Sequence, residues 1–330
     1  MKRTLIVMVT LAAMYATAAV AQARNPFAGT HLYVLKAGDA GADAANQIQA
    51  WSHSGSHARA SAALAKIATQ PWAEWYGDWL ADPGAMFAQR VRSWYAPDHA
   101  TAFIALYNLP DRDCGAGFSA GGAKSPAAYR AWILHLAQAI GGYPTIVVVE
   151  PDGIMGAPCL GGLEGQRLQL LSYAAKTLSA LPHTSVYLDA GRSGALPADE
   201  TTSLLRRAGV RYTRGFALDV TGYATTANEL RYGDQIGRAL GNKHFIVNTS
   251  RNGNGTLPLS QATQGKQELW CNTPNRALGT APTTNTHDRL ADGFEWVLHP
   301  GYSDGLCQGG GPAGSWWLPY AIGLADRAHY

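Results

Sequence analysis

The chain has 330 residues, 47% of them hydrophobic and only 15% charged, with a net charge of +3. So thin and balanced a charge leaves no basic stripe for nucleic acid or an anionic membrane surface. Ten Trp and fifteen Tyr point instead to flat, neutral ligands, and sugars are the class best served by aromatic platforms combined with carboxylates and amides.

Taken in chain order, Met1 to about Ala21 reads as a secretory signal. Lys2 and Arg3 precede the apolar stretch Leu5–Met14, and Ala19-Val20-Ala21 fits the small-residue cleavage pattern, with cleavage after Ala23 nearly as good. That stretch is short for a membrane anchor. The expectation is a secreted chain, extracellular or periplasmic, with no membrane association after signal removal and one domain over residues 22–330. Export makes Cys114, Cys159, Cys271 and Cys307 legible as two disulfides, for which three connectivities exist. No Cys-x-x-Cys spacing supports zinc, and His183, His244, His287 and His299 are scattered, so neither metal nor cofactor is expected.

Short apolar runs bounded by turn residues predict strands at 32–35, 101–107, 145–149, 185–188, 215–218, 244–247 and 294–297. Amphipathic stretches at 126–140 and 165–181 predict helices between them. Alternating β and α units imply a parallel sheet, and about seven of them favour an α/β fold closed, or nearly closed, into a distorted barrel. Residues 309–315 are Gly-rich without the strand–turn–helix frame of a nucleotide loop, and read as a surface loop. Three predicted strands deliver an Asp near their ends: Asp113 after Tyr107-Asn-Leu-Pro, Asp152 in Glu150-Pro-Asp, and Asp189. Asp304 follows in a Gly-rich stretch. One such Asp is ordinarily a turn or helix-cap residue. Several at strand ends point to a site in a cleft at the carboxyl ends of the strands.

From Asn25 to the end, the chain resembles glycoside hydrolase family 6, the inverting cellobiohydrolases and endoglucanases. Tyr107-x-x-Pro-x-Arg-Asp-Cys114 followed by Gly-Ala-Gly-Phe-Ser-Ala-Gly-Gly122 matches one family signature, and Val147-Val-Val-Glu-Pro-Asp-Gly-Ile154 matches another. Further matches are Tyr187-Leu-Asp-Ala-Gly191, Thr249-Ser-Arg-Asn-Gly-Asn-Gly255, Trp270-Cys-Asn272 and Pro300-Gly-x-Ser-Asp-Gly305. The resemblance implies Asp152 as general acid, Asp113 as the aspartate supporting it and Tyr107 as the tyrosine that crowds the reactive sugar. It implies Ser119 beside the catalytic water, Asp189 near the centre and Asp304 as the proposed base. Trp75 and Trp270 match stacking tryptophans of the non-reducing side, whereas Trp72 and Trp79 read as core. Asn252, Asn272, Arg192 and Tyr302 complete the expected substrate-binding set. Together with proximity in sequence, the resemblance favours the pairs Cys114–Cys159 and Cys271–Cys307.

The departures are concentrated. Where the family carries His and Trp on the leaving side, this chain has Arg192 and Ala195; where it carries Lys and Glu before the base, this chain has Leu298 and Tyr302. Asn248 replaces a common Asp, and Asp219 stands where Asn is usual. Only seven positions separate Asp152 from Cys159 and three separate Asp304 from Cys307. Short loops imply an open cleft, and the expected function is a monomeric, endo-acting, inverting β-1,4-glucanase whose only partner is a β-glucan polysaccharide or oligosaccharide. Two alternatives remain: an exo-acting cellobiohydrolase, if residues 280–293 fold over the cleft, and a glycan-binding protein with an impaired site. No Gly-x-Ser-x-Gly elbow supports a serine hydrolase, and the sequons at Asn248 and Asn254 read as coincidental.

Overall fold

A computed structural model describes residues 24–52, 57–115, 117–263 and 265–330; the expected signal segment lies outside them. Seven strands form one sheet in sequence order, every neighbouring pair parallel: β1 Glu74–Gly77, β2 Ala102–Tyr107, β3 Thr145–Val149, β4 Thr184–Asp189, β5 Gly215–Leu218, β6 His244–Asn248 and β7 Ala291–Glu295. β1 and β7 do not pair as strands. The seam between them is held by single contacts, Ala73 N–H to Trp296 O (3.0 Å) and Trp75 Nε1–H to Val297 O (2.7 Å). The result is the expected distorted α/β barrel.

The crossovers are helices whose ends the sequence writes plainly. At Pro126–Ile140 the Ser125 side chain accepts the Ala128 N–H (3.1 Å), Pro126 fills the first turn, and Gly141 follows at φ +53°. Glu164–Ser179 packs alongside, and both helices fall within two residues of expectation. β-branched and aliphatic side chains alternate across the strands: Ile104, Leu106, Val147 and Val149 face the helices, whereas Phe103, Ala105, Ile146 and Val148 fill the barrel interior. Phe27 plugs that interior edge-on to Phe103, with ring centroids 5.5 Å apart.

Three strand expectations need correction. Residues 32–35 make only one bridge, Leu32 to Thr101, and are not a barrel strand. The true first strand, Glu74-Trp-Tyr-Gly77, is four residues long and carries a carboxylate, so it shows no apolar run. β7 begins three residues earlier than the apolar run suggests, because Asp292 is buried within the sheet. Its carboxylate accepts from Arg214 Nε (2.9 Å), Arg214 Nη2 (2.8 Å) and the Tyr187 hydroxyl (2.7 Å), and these donors hold it below the usual carboxylate range against its burial.

Candidate active site

The carboxyl ends of the strands open into a cavity of about 1200 Å³. Its floor is Asp152, the third residue past β3 and held at φ +63°. That backbone is fixed from the next strand: Asp189, at the end of β4, accepts the Asp152 N–H (2.9 Å) and the Gly191 N–H (3.0 Å) through Oδ1. Burial pushes the Asp152 carboxyl up to about 6; Thr221 Oγ1–H, donating to Oδ1 at 2.7 Å, pulls against this, and the charge of Asp113 adds to it. Arg192 and Arg251 lower it again.

Asp113 is held from both sides. Tyr107, ending β2, donates its hydroxyl to Oδ1 (2.8 Å), and Ser119 donates its backbone N–H to Oδ2 (3.0 Å). Burial, then the nearby carboxylates, raise the Tyr107 phenol and keep it a donor. Arg112 braces the same loop, reaching Tyr107 O (3.0 Å), Ser119 O (2.5 Å) and Asp78 Oδ1 (2.6 Å).

Asp304 closes the opposite wall. Arg251 Nη1 lies 2.7 and 2.8 Å from its two oxygens, and Oδ2 also accepts the Asn272 N–H (2.8 Å) and the Tyr223 hydroxyl (3.1 Å). The guanidinium is fully buried, sits 4.2 Å from the Tyr223 ring centre and also donates to Thr221 O. One arginine thus ties the loop after β5 to the loop after β7.

Of the expected binding residues, Trp75, Trp270, Arg192 and Tyr302 line the cavity. Trp75 lies 5.3 Å from Tyr107, ring centre to ring centre. Arg192 Nη1 has Met155 Sδ at 3.7 Å. Tyr302 donates to Gly41 O (3.0 Å) and to Asp43, anchoring the β7 loop to the amino-terminal segment. Two expectations are overturned. Asn252 is buried and spends its amide on Ala224 O (3.0 Å) and Thr226 Oγ1 (3.2 Å). Asn272 is buried and spends its amide on Gly305 O and Cys307 O, both at 2.9 Å. Both hold loops in place and neither lines the cavity. Trp79, read as core, is 53% exposed and does line it; Trp72 also lines it, against His299 at 3.7 Å between centres.

Four contributors escaped the sequence reading. Thr221 and Arg251 lie in or near quoted segments but carry no sign of their partners. Glu150, between Val149 and Pro151, accepts the N–H groups of Asn108 (2.9 Å) and Leu109 (3.0 Å), and burial pushes it up to about 7. Glu229 accepts from Ser193 N (2.9 Å) and Ser193 Oγ (2.5 Å), and burial likewise takes it to about 7. The disulfides are Cys114–Cys159 and Cys271–Cys307. No group of three His, Cys, Asp or Glu among the described residues could hold a metal, and no helix among them is long and apolar enough to cross a membrane.

The family model for glycosyl hydrolases family 6 matches residues 27–328. The chain belongs to that family. Among family 6 relatives, endoglucanase A of Cellulomonas fimi is 40% identical over 82% of this chain and 57% of its own length, so this chain spans little more than half of that protein. A probable 1,4-β-D-glucan cellobiohydrolase C of Aspergillus niger is 30% identical over 92% of this chain and 78% of its own. In structure, the endoglucanase Cel6 of Mycobacterium tuberculosis, solved with methyl-cellobiosyl-4-deoxy-4-thio-β-D-cellobioside, superposes with a TM-score of 0.82 at 34% identity, covering 92% of this chain and 99% of that one.

Proposed function

We propose that this chain is an exported β-1,4-glucanase that cuts cellulose or a related β-glucan internally, with inversion at the anomeric carbon. One arrangement carries the reading: two carboxyls line the same cavity, Asp152, which burial pushes up to about 6, and Asp113, which is held in place by Tyr107 and Ser119. Asp152 protonates the leaving glycosidic oxygen. Asp113 keeps Asp152 less acidic by like-charge repulsion and fixes the Tyr107 ring against the sugar. Inversion needs a water on the far face and a carboxylate to accept its proton. Asp304 is the base: Arg251, Asn272 and Tyr223 hold its carboxylate in place, and one of its oxygens takes the proton of the attacking water, relayed by a second water. Asp189 positions Asp152 through its backbone.

Internal cutting is supported by the short spacings from Asp152 to Cys159 and from Asp304 to Cys307 and by the endoglucanase names of the more similar relatives. The exo-acting alternative needs residues 280–293 over the cleft, and none of them lines the cavity; what remains for it is one contact, a Cβ on Gly305 falling 2.3 Å from Phe118 Cβ, where the loops after β2 and β7 touch. Reducing-sugar release from carboxymethyl-cellulose, barley β-glucan and xyloglucan, wild type beside Asp152→Ala, tests the activity. Release that survives the substitution overturns the assignment of the acid, and no release from any polymer moves the reading to glycan binding. Endo-action predicts a rapid viscosity drop of carboxymethyl-cellulose per bond cut; a slow drop favours the exo reading.

A further inference from the structure

The rim follows strand order. Arg192 follows β4, Asp152 follows β3, Tyr107 and Arg112 follow β2, and Trp79 follows β1. Trp79 and Arg192 therefore stand on opposite sides of the acid. Trp79 is the more exposed of the cleft's tryptophans, at 53%, and it is seated rather than loose. Its ring lies against the backbone of Gly77, where a Cβ would fall 2.2 Å from Trp79 Cζ3. Arg112 stands between two rings, 4.7 Å from the centre of Tyr107 and 5.6 Å from the centre of Trp79, and is itself pinned by Asp78. A large aromatic surface left half in water within a cleft is an unspent binding surface. It is continuous with the cavity that holds the acid, and although the Arg112 guanidinium stands 5.6 Å from its centre, about half of the residue stays open to solvent.

We propose that Trp79 is a stacking platform for a further glucosyl unit of the bound glucan, on the β1 side of the cleft. This rests on the β-glucan reading above and extends it: the chain takes additional binding from the side opposite Arg192, where Ala195 stands in place of a tryptophan. The occupant is the apolar face of a neutral sugar ring, because the open part of the platform is indole surface and the one guanidinium beside it, Arg112, is already paired with Asp78.

Titration calorimetry of cellotriose and cellohexaose against the full chain carrying Asp152→Asn tests the assignment without hydrolysis. Adding Trp79→Ala lowers the ratio of cellohexaose to cellotriose affinity by about tenfold, the order expected for one lost stacking contact. Trp79→Phe retains most of that ratio. Gly77→Ala, which keeps the indole and removes its seat, lowers it as Trp79→Ala does. An unchanged ratio in Trp79→Ala, or equal weakening of both oligosaccharides, overturns the platform while leaving the β-glucan reading intact. Failure of the Asp152→Asn parent to bind either oligosaccharide overturns the β-glucan reading, and the platform with it.

Discussion

Thr221 offers the sharpest test of how the acid is tuned. Its hydroxyl donates to Asp152 Oδ1 at 2.7 Å and stabilises the charged carboxylate, opposing the burial that raises it to about 6. Thr221→Val keeps the shape and removes the donor. A hydrogen bond to a charged acceptor is worth about 1.5–3 kcal/mol, and about 1.4 kcal/mol corresponds to one pH unit. The Asp152 carboxyl therefore rises by about one pH unit, taking the lower end of that range. A general acid works while protonated, so activity is lost as pH rises through its pKa. The alkaline limb of kcat against pH moves upward by about one unit in Thr221→Val. Asp113→Asn moves the same limb downward, because it removes a charge that raises Asp152. The assay is the initial rate on a soluble cello-oligosaccharide between pH 4 and 9. An alkaline limb that stays put in Thr221→Val, or moves downward, refutes Asp152 as the titrating acid.

Three further outcomes follow from the same geometry. Glu150 titrates near 4.5 when unfolded and near 7 when folded, so its proton contributes stability that is full below about pH 4.5 and lost as pH rises through 7; Glu150→Gln flattens that part of the Tm–pH curve between pH 5 and 7.5, and a parallel curve refutes it. Reducing the disulfides, which close loops of 45 and 36 positions, removes about 4 kcal/mol each in the chain-entropy model; urea midpoints with and without reductant measure it, and no change means that the loops are held by their other contacts. Tyr302→Glu, which restores the carboxylate the family carries, places it beside Asp43 in exchange for a hydrogen bond. Its Tm falls, and adding Asp43→Asn recovers part of the loss; no recovery refutes the clash of charges.

Much of this was legible because buried parallel strands are nearly continuous apolar runs, and five of the seven, β2 to β6, surfaced that way. β1 did not, since a four-residue strand at the seam carries Glu74 for Arg90 and the Tyr76 hydroxyl rather than an apolar run. β7 was misplaced for the complementary reason: Asp292 looks like a turn residue until Tyr187 reaches it from β4 and Arg214 from just before β5. Motif spacing singled out Asp113, Asp152 and Asp304, which line one cavity, and Asp189, which is buried and holds the Asp152 backbone. It could not say which way a short amide points, and Asn252 and Asn272 turn to backbone carbonyls. Nor could it pair Thr221 with Asp152 or Arg251 with Asp304, contacts between loops 69 and 53 positions apart.

The departures from the family pattern gain meaning from where they sit. Leu298, His299 and Tyr302 run along one wall, and what they lose in charge they replace with packing: Tyr302 on Trp316 at 5.4 Å, His299 against Trp72 at 3.7 Å. Burial presses the His299 imidazole down to about 4, so it stays neutral between about pH 4 and 6, where Asp152 still holds its proton. A neutral, aromatic wall cannot hold a sugar hydroxyl as a Lys–Glu pair would, but it does not penalise a hydroxyl that is substituted. On the proposed roles, the acid and its supports are kept while the polar grip of that wall gives way to packing, in a cavity that Trp72, Trp75 and Trp79 also line. On the proposed function, that combination would uncouple bond cleavage from grip on bare cellulose, which makes the preferred polymer the informative readout for this chain.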